Sequence, residues 1–247
     1  MISAQVKVYN DVWHIGNCLN NIYDCFDEIV LIEGAWDSLL EQDIPGYNTR
    51  RSSDGTLEII DDFIRKSDVK NKIKYVQLDD SSTKYQPPFD TYPMAFWDVT
   101  SCKEGDYSLI IDSDEIYSRN DAASLVEFAV GTEASGLEVW AYNLVSVDEY
   151  RSDSLAGPMG IGGRIEKFGH FHTDRFFTAR EENTVITVPD IWCFHYSLYK
   201  PLIHLEYKYK FKPCIRSFWE LQNGKVVFLN DTKVLKYTGI LPEGYGR

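Results

Sequence analysis

Two short apolar runs, each closed by a carboxylate, constrain this chain more than any other feature. Glu28-Ile29-Val30-Leu31-Ile32-Glu33 is apolar at successive positions, and Tyr107-Ser108-Leu109-Ile110-Ile111 runs straight into Asp112. A strand with one wet face alternates. A short run without alternation suits a parallel strand covered on both faces. Parallel strands need crossover connections, and the intervening segments supply them. A strand is read at Gln5–Tyr9, and a helix at Ile15–Cys25 with Leu19, Ile22 and Phe26 on one side. Ser52-Ser53-Asp54-Gly55-Thr56 then opens a helix, capped by Ser53 or Asp54 and carrying Ile59, Ile60, Phe63 and Ile64. A strand at Lys72–Leu78 and a helix at Tyr92–Ser101 follow, and Trp36–Arg51 and Asp79–Asp90 read as loops. The order β-α-β-α-β-α-β predicts an α/β fold with a mostly parallel central sheet flanked by helices and right-handed crossovers.

The second half reads differently. After a helix at Asp121–Val130, strands at Leu137–Val147, Ile165–Gly169, Phe176–Ala179 and Thr184–Val188 follow without a long helix between them, which predicts a smaller β extension. Gly157, Gly160, Gly162 and Gly163 read as a flexible loop, and Tyr196–Lys212 as a helix lying across the site. A length of 247 residues suits one domain with a full core.

Composition narrows the partners. The formal net charge of −13 repels nucleic acid and anionic membrane surfaces on average, so no nucleic-acid partner is expected. An anionic ligand would need a local neutraliser. The five cysteines are odd in number and include no CxxC pair, which suits free thiols in a reducing compartment. No apolar stretch is long enough for a transmembrane segment, and the first residues read as a strand, so the cytoplasm is the expected location.

Ligands of open α/β sheets bind beyond the carboxyl ends of the strands. Here those ends carry Asn10 and Asp11, Glu33, and Asp112 with Asp114. Carboxylates at i and i+2, as in Asp112-Ser113-Asp114, can reach one hard cation, and Mn2+ or Mg2+ favours such oxygen ligands while leaving positions for phosphate oxygens. The same DxD motif can also be a polar turn, with Asp114 capping the next element.

With Glu33, Ser52-Ser53-Asp54-Gly55-Thr56 and Asp112-Ser113-Asp114 in this order, the chain resembles the GT-A-fold glycosyltransferases of the large family-2 type. The resemblance covers roughly residues 4 to 130. It departs from the family pattern in the long insertion between Glu33-Gly34-Ala35-Trp36 and Ser52. It implies a GT-A-like (Rossmann-type) sheet, with residues 1–118 binding a nucleotide-diphosphate sugar donor. Residues 119–247 would bind a glycan, lipid-linked or protein acceptor under a C-terminal lid. Tyr9, Asn10, Asp11 and Glu33 would hold base and ribose, Asp54 would shape the pocket, and Trp36 would stack on it. Asp112 and Asp114 would hold the metal, with His195 of Ile191-Trp192-Cys193-Phe194-His195-Tyr196 as a further ligand. Lys200, Lys208, Lys210 and Lys212 form a local positive patch on an acidic chain, read either as a solvated helix face or as a lid whose lysines meet the donor phosphates. Inverting transfer, which the resemblance implies, needs a carboxylate base, and Asp174, Asp148 and Glu149 are the candidates. His170 and His172 carry metal spacing without an evident third ligand.

Two other readings compete. A nucleotidyltransferase forming nucleotide-sugars shares the layout but usually opens with a Gly-rich basic loop, where this chain has Asn10-Asp11-Val12-Trp13-His14. A non-catalytic carbohydrate-binding protein could use Tyr92, Trp97, Trp140, Tyr142, Trp192 and Tyr199 for stacking, but would not need acids at several strand ends. No GxSxG, P-loop or GxGxxG motif occurs.

Overall fold

The computed structural model describes residues 1–35, 40, 44–78, 95–96, 98–152, 158–165, 184–211, 219–223, 225–229, 233–239 and 241–245. In chain order the strands are β1 Ile2–Val8, β2 Glu28–Glu33, β3 Ile73–Gln77, β4 Tyr107–Asp112, β5 Glu115–Ile116, β6 Gly136–Asn143, β7 Glu149–Arg151, β8 Met159–Arg164, β9 Val185–His195, β10 Trp219–Gln222, β11 Lys225–Phe228 and β12 Val234–Lys236. The helices are α1 Ile15–Ile22, α2 Thr56–Ser67, α3 Arg119–Gly131 and α4 Leu202–Phe211. Ala95, Phe96, Asp98 and Val99 are helical as well, within the helix expected at Tyr92–Ser101.

An eight-stranded sheet in the order β3-β2-β1-β4-β8-β6-β9-β5 forms the centre. The expected parallel half is present, since β3, β2, β1 and β4 pair in parallel. The other half is mixed: β8 is antiparallel to β4 and to β6, β9 is parallel to β6, and β5 is antiparallel to β9. The sheet as a whole is mixed, with four of its seven pairings parallel. β7 pairs with β12, and β10 with β11, in two small antiparallel ribbons.

The non-alternating runs behave as their composition demands. Every residue of β2 is buried. Ile29 and Leu31 pack into the core that also holds Ile15, Cys18, Leu19 and Ile22 of α1, Ile60 and Phe63 of α2, and Ala122, Leu125 and Ala129 of α3. Val30 and Ile32 face the other way, onto Leu78, Ala95, Phe96, Cys102 and Ile165. The period of two along a strand thus feeds two separate apolar layers. α1 buries one stripe at i, i+3, i+4 and i+7. α3 starts where Ser118 accepts a hydrogen bond from the Asp121 amide at 3.1 Å, which satisfies one of the unpaired donors of the first turn.

The glycine cluster is not a loop. Gly160, Gly162 and Gly163 lie in β8, and Gly157 is outside the described residues. Gly162 has φ +125°, and a Cβ there would collide with the Ser108 carbonyl of β4. Glycine lets β8 approach β4 at a backbone geometry that an L side chain rarely adopts. The strands expected at Ile165–Gly169 and Phe176–Ala179 fall almost wholly outside the described residues. The strand expected at Thr184–Val188 extends to His195, with Asp190 at φ 58° beside a register shift against β6.

Direction positions the site. Two antiparallel steps separate β4 from β6, so β6 runs with β4, and β9 runs with β6. The carboxyl ends of β1, β2, β4, β6 and β9 consequently share one rim. That rim carries Asn10 and Asp11, Glu33, Asp112 to Asp114, Asn143 and His195.

Candidate functional site

At one end of the rim the β1 end and the Ser52–Thr56 segment clasp each other. Asn10 adopts φ 47°, a left-handed conformation that asparagine tolerates better than most residues. Its amide donates to Ser52 Oγ at 2.8 Å, its side-chain nitrogen donates to the Gly46 carbonyl at 2.8 Å, and its side-chain oxygen accepts from the Ser53 amide at 2.8 Å. The Asp11 amide donates to Thr56 Oγ1 at 2.8 Å, and the Val12 amide to Asp54 Oδ2 at 3.1 Å. Asp54 Oδ1 accepts from the Thr56 amide at 3.1 Å and from its hydroxyl at 2.6 Å. Helix α2 itself begins at Thr56, with Gly55 at φ 102° as the cap residue. Glu33 is fully buried, and its Oε1 accepts the Ser52 amide at 2.7 Å. Burial pushes the Glu33 pKa up, against the lowering effect of the Ser52 hydrogen bonds and of Arg51. Tyr9 packs with Ala35, Ile44 and Tyr47 and donates its hydroxyl to the Thr49 carbonyl at 2.6 Å. The residues expected to hold base and ribose thus interlock with the Gly46–Thr56 segment. Trp36 lies outside the described residues.

At the other end the interactions are ionic. Lys200 Nζ lies 2.9 Å from Asp114 Oδ2 and 3.2 Å from Asp11 Oδ1, with side-chain exposures of 4% for Lys200, 8% for Asp114 and 1% for Asp11. Burial opposes the Lys200 charge, but the two carboxylates outweigh it and hold the lysine pKa above its ordinary value. Ser113 Oγ donates to Asp11 Oδ2 at 2.5 Å. His195 Nε2 stands 3.7 Å from Asp114 Oδ1, and its Nδ1 is 2.8 Å from Asn143 Oδ1. The Asn143↔His195 and Glu115↔His195 registers place these side chains. The turn between β9 and α4 delivers Lys200, pinned where the Tyr196 amide donates to the Asp114 carbonyl at 2.8 Å.

The residues present do not fit the divalent cation expected at Asp112, Asp114 and His195. Asp112 Oδ1 pairs sideways with Lys7 Nζ at 3.0 Å, its register partner on β1, while Asp114 faces Lys200. The Asp112 amide donates to Glu115 Oε2 at 2.9 Å, which fixes the turn. Each carboxylate of the DxD motif thus meets its own ammonium. Among the described residues no three His, Cys, Asp or Glu side chains are placed to hold a metal ion.

The base candidates lie beyond β6. Asp148 Oδ2 is 3.5 Å from Lys236 Nζ, and Glu149 Oε2 accepts from Ser146 Oγ at 2.8 Å. Asp174, His170 and His172 fall outside the described residues, as do Tyr92, Trp97, Lys212 and the side chains of Lys208 and Lys210. Tyr142 stacks on Trp192 with centroids 4.6 Å apart, and Trp140 lies 6.2 Å from Trp192, so these rings pack on one another. Tyr199 is half-exposed beside the rim, and its carbonyl lies 3.1 Å from His14 Nε2. His14 is stacked on Tyr196, and burial lowers its pKa. Sequence reasoning missed His14, Lys7, Ser113, Glu115 and Asn143. The register partners of Asp112 and His195 could have found Lys7 and Asn143 once the strand order was known.

No family model matches the sequence, and no curated protein matches it. Several solved structures are similar. TarS from S. aureus, residues 1–349, is 16% identical over 83% of this chain and 62% of its own, with a TM-score of 0.44. The same protein in complex with UDP-GlcNAc is 20% identical over 58% of this chain and 35% of its own, with a TM-score of 0.40. Glucosyl-3-phosphoglycerate synthase from Mycobacterium tuberculosis, in complex with Mn2+, UDP and glucosyl-3-phosphoglycerate, is 17% identical over 57% of this chain and 44% of its own, with a TM-score of 0.36. This chain therefore spans less than two thirds of each. Among the described residues no helix is long and apolar enough to cross a membrane.

Proposed function

We propose that this chain is a GT-A-type glycosyltransferase that takes a sugar from a nucleotide-diphosphate donor and places it on an acceptor hydroxyl with inversion. The observation that supports the reading is the rim itself. The Ser52–Thr56 clasp and the Asp112–Glu115 turn come from segments far apart in sequence, yet both meet the β1 end through Asn10 and Asp11. This gathers polar groups beyond the strand ends, where ligands of such sheets bind.

In this reading residues 1–118 hold the donor and residues 119–247 the acceptor, whether a glycan, a lipid-linked group or a protein. Asp174, Asp148 or Glu149 takes the proton of the acceptor hydroxyl. The hydroxyl oxygen attacks the anomeric carbon from the face opposite the diphosphate. The carbon–oxygen bond to the diphosphate breaks as the new one forms, and the nucleoside diphosphate leaves with the bonding pair. The Asp11, Asp114 and Lys200 side chains hold the wall against which the diphosphate departs.

A thermal-shift panel of UDP-, GDP-, CMP- and dTDP-sugars tests this directly, because a ligand that binds only the folded state raises its melting temperature. A rise with one nucleotide, followed by release of that nucleoside diphosphate on incubation, is the expected result. A rise with free sugars and none with any nucleotide would replace this reading with a carbohydrate-binding one. Joining of a nucleoside triphosphate to a sugar phosphate would make the chain a nucleotidyltransferase.

A further inference from the structure

Two buried carboxylates in this rim face one buried ammonium. Lys200 Nζ sits between Asp114 Oδ2 at 2.9 Å and Asp11 Oδ1 at 3.2 Å, and all three side chains are more than nine-tenths buried. The lysine does not reach in from a loose surface arm. Its turn is tied to the DxD turn by the Tyr196 amide on the Asp114 carbonyl at 2.8 Å, and is closed by the Tyr199 amide on the Tyr196 carbonyl at 3.2 Å. Pro201 then starts the following helix, with its carbonyl accepting the His204 amide at 2.9 Å. Ser113 Oγ holds the far oxygen of Asp11. The other half of the motif is turned aside, because Asp112 pairs with Lys7 at 3.0 Å.

Charge decides what such a site can take. A divalent cation drawn to Asp114 would lie within a few ångström of the Lys200 ammonium, in a region with little water to screen the repulsion. One cation has to leave, and the tethered one is covalently part of the fold.

We propose that Lys200 is the resident cation of this rim: its ammonium holds the place at Asp114 that a divalent metal would take, and the chain works without a bound divalent cation. For the reaction, this rests on the glycosyltransferase reading above. The occupancy of Asp114 by Lys200 does not depend on that reading. The DxD motif here serves as an anchor for the lysine turn, joining the end of β4 to the end of β9. Among the described residues Arg51, about half-exposed and 3.8 Å from Glu33, is a cation of the same rim able to meet a donor diphosphate.

The test uses Mn2+ alone, followed by the electron paramagnetic resonance of the free ion, on the full chain without donor. Wild type is expected to leave the Mn2+ signal as it is in buffer. Lys200→Ala removes the ammonium from between Asp11 and Asp114 and is expected to bind one Mn2+ per chain at least tenfold more tightly than wild type, and Asp114→Asn in that background removes the site. Circular dichroism checks that each variant is folded. A folded Lys200→Ala that gains no site overturns the proposal. If Lys200→Ala does not fold, wild type against Asp114→Asn still decides: one tightly bound Mn2+ in wild type, lost in Asp114→Asn, overturns it. Where the panel above identifies a donor, nucleotide release is expected to stay within twofold after treatment with a chelator. A loss reversed by Mn2+ overturns the metal-free claim. Failure of every donor to bind counts against the glycosyltransferase reading alone, since the Mn2+ titration needs no donor.

Discussion

The two ends of the strand-end rim are held together in opposite ways. At the Glu33 end, Asn10, Ser52, Ser53, Asp54 and Thr56 interlock through hydrogen bonds from backbone amides to short side chains. At the Asp114 end, Asp11, Asp114 and Lys200 interlock through charge, almost without solvent. The first is a distributed structure, in which each hydrogen bond contributes a net ~0.5–1.5 kcal/mol. The second hangs on a single group, because removing Lys200 takes from two carboxylates the ammonium they share in a poorly hydrated place. A wall built by the first method can lose a member and persist. A wall built by the second is far more sensitive to the loss of its lysine.

Substitutions at four positions can break or sharpen that contrast. Lys200→Met carries the largest expected effect. It takes from Asp11 and Asp114 the ammonium they share and should cost about 3–5 kcal/mol in urea denaturation, the range for breaking a buried ion pair from one side. A loss no greater than that of a clasp variant would erase the distinction. Asn10→Ala comes next, since it removes the bonds to Gly46 and Ser53 and places a poorly suited residue at positive φ. A loss of about 2 kcal/mol is expected, and Asn10→Gly should lose less because glycine accepts that conformation. Ser52→Ala removes the acceptor of the Asn10 amide and the hydroxyl bonded to Glu33, and the same denaturation series should show about 1 kcal/mol.

The smallest effect depends on pH. Burial raises the Glu33 pKa in the folded chain, so between its unfolded value and that raised value the folded state binds more protons than the unfolded one. The Glu33 contribution is therefore fully present below the unfolded carboxylate pKa and is lost as pH rises through the folded one. Glu33→Gln keeps an acceptor for the Ser52 amide without a charge to bury. Its stability relative to wild type should increase as pH rises from about 4.5 toward neutrality. A difference that stays flat with pH would show that Glu33 is well compensated and that both ends of the rim tolerate buried charge alike.

The same contrast explains what was legible in the sequence. β2 and β4 could be read because burial on both faces leaves a run of apolar residues, and the Ser52–Thr56 clasp could be read because its members are contiguous. Lys200 could be placed among the donor-site residues from its local positive patch, but not between Asp11 and Asp114. A buried lysine looks like any other until the strand order brings its partners to it. The β8 glycines were misread for a related reason. Absent side chains signal a loop locally, whereas here they allow a close backbone approach to β4. The mixed direction of the second half of the sheet left no local trace, because direction is a property of the connections.

The Lys200 knot also bears on the order in which the molecule can assemble. It joins residues 11, 114 and 200, and β1 at the sheet centre waits for β4 to arrive from beyond residue 106. Contacts of such long sequence separation close late, because the entropy of the intervening loops is lost before the contacts form. Until Lys200 docks, Asp11 and Asp114 lack the ammonium that ties them to the turn after β9, and this end of the rim stays wet and open. The last residue of the knot to be synthesised is thus the one that dries this end of the rim, and refolding should show the rim closing after the central strands have paired.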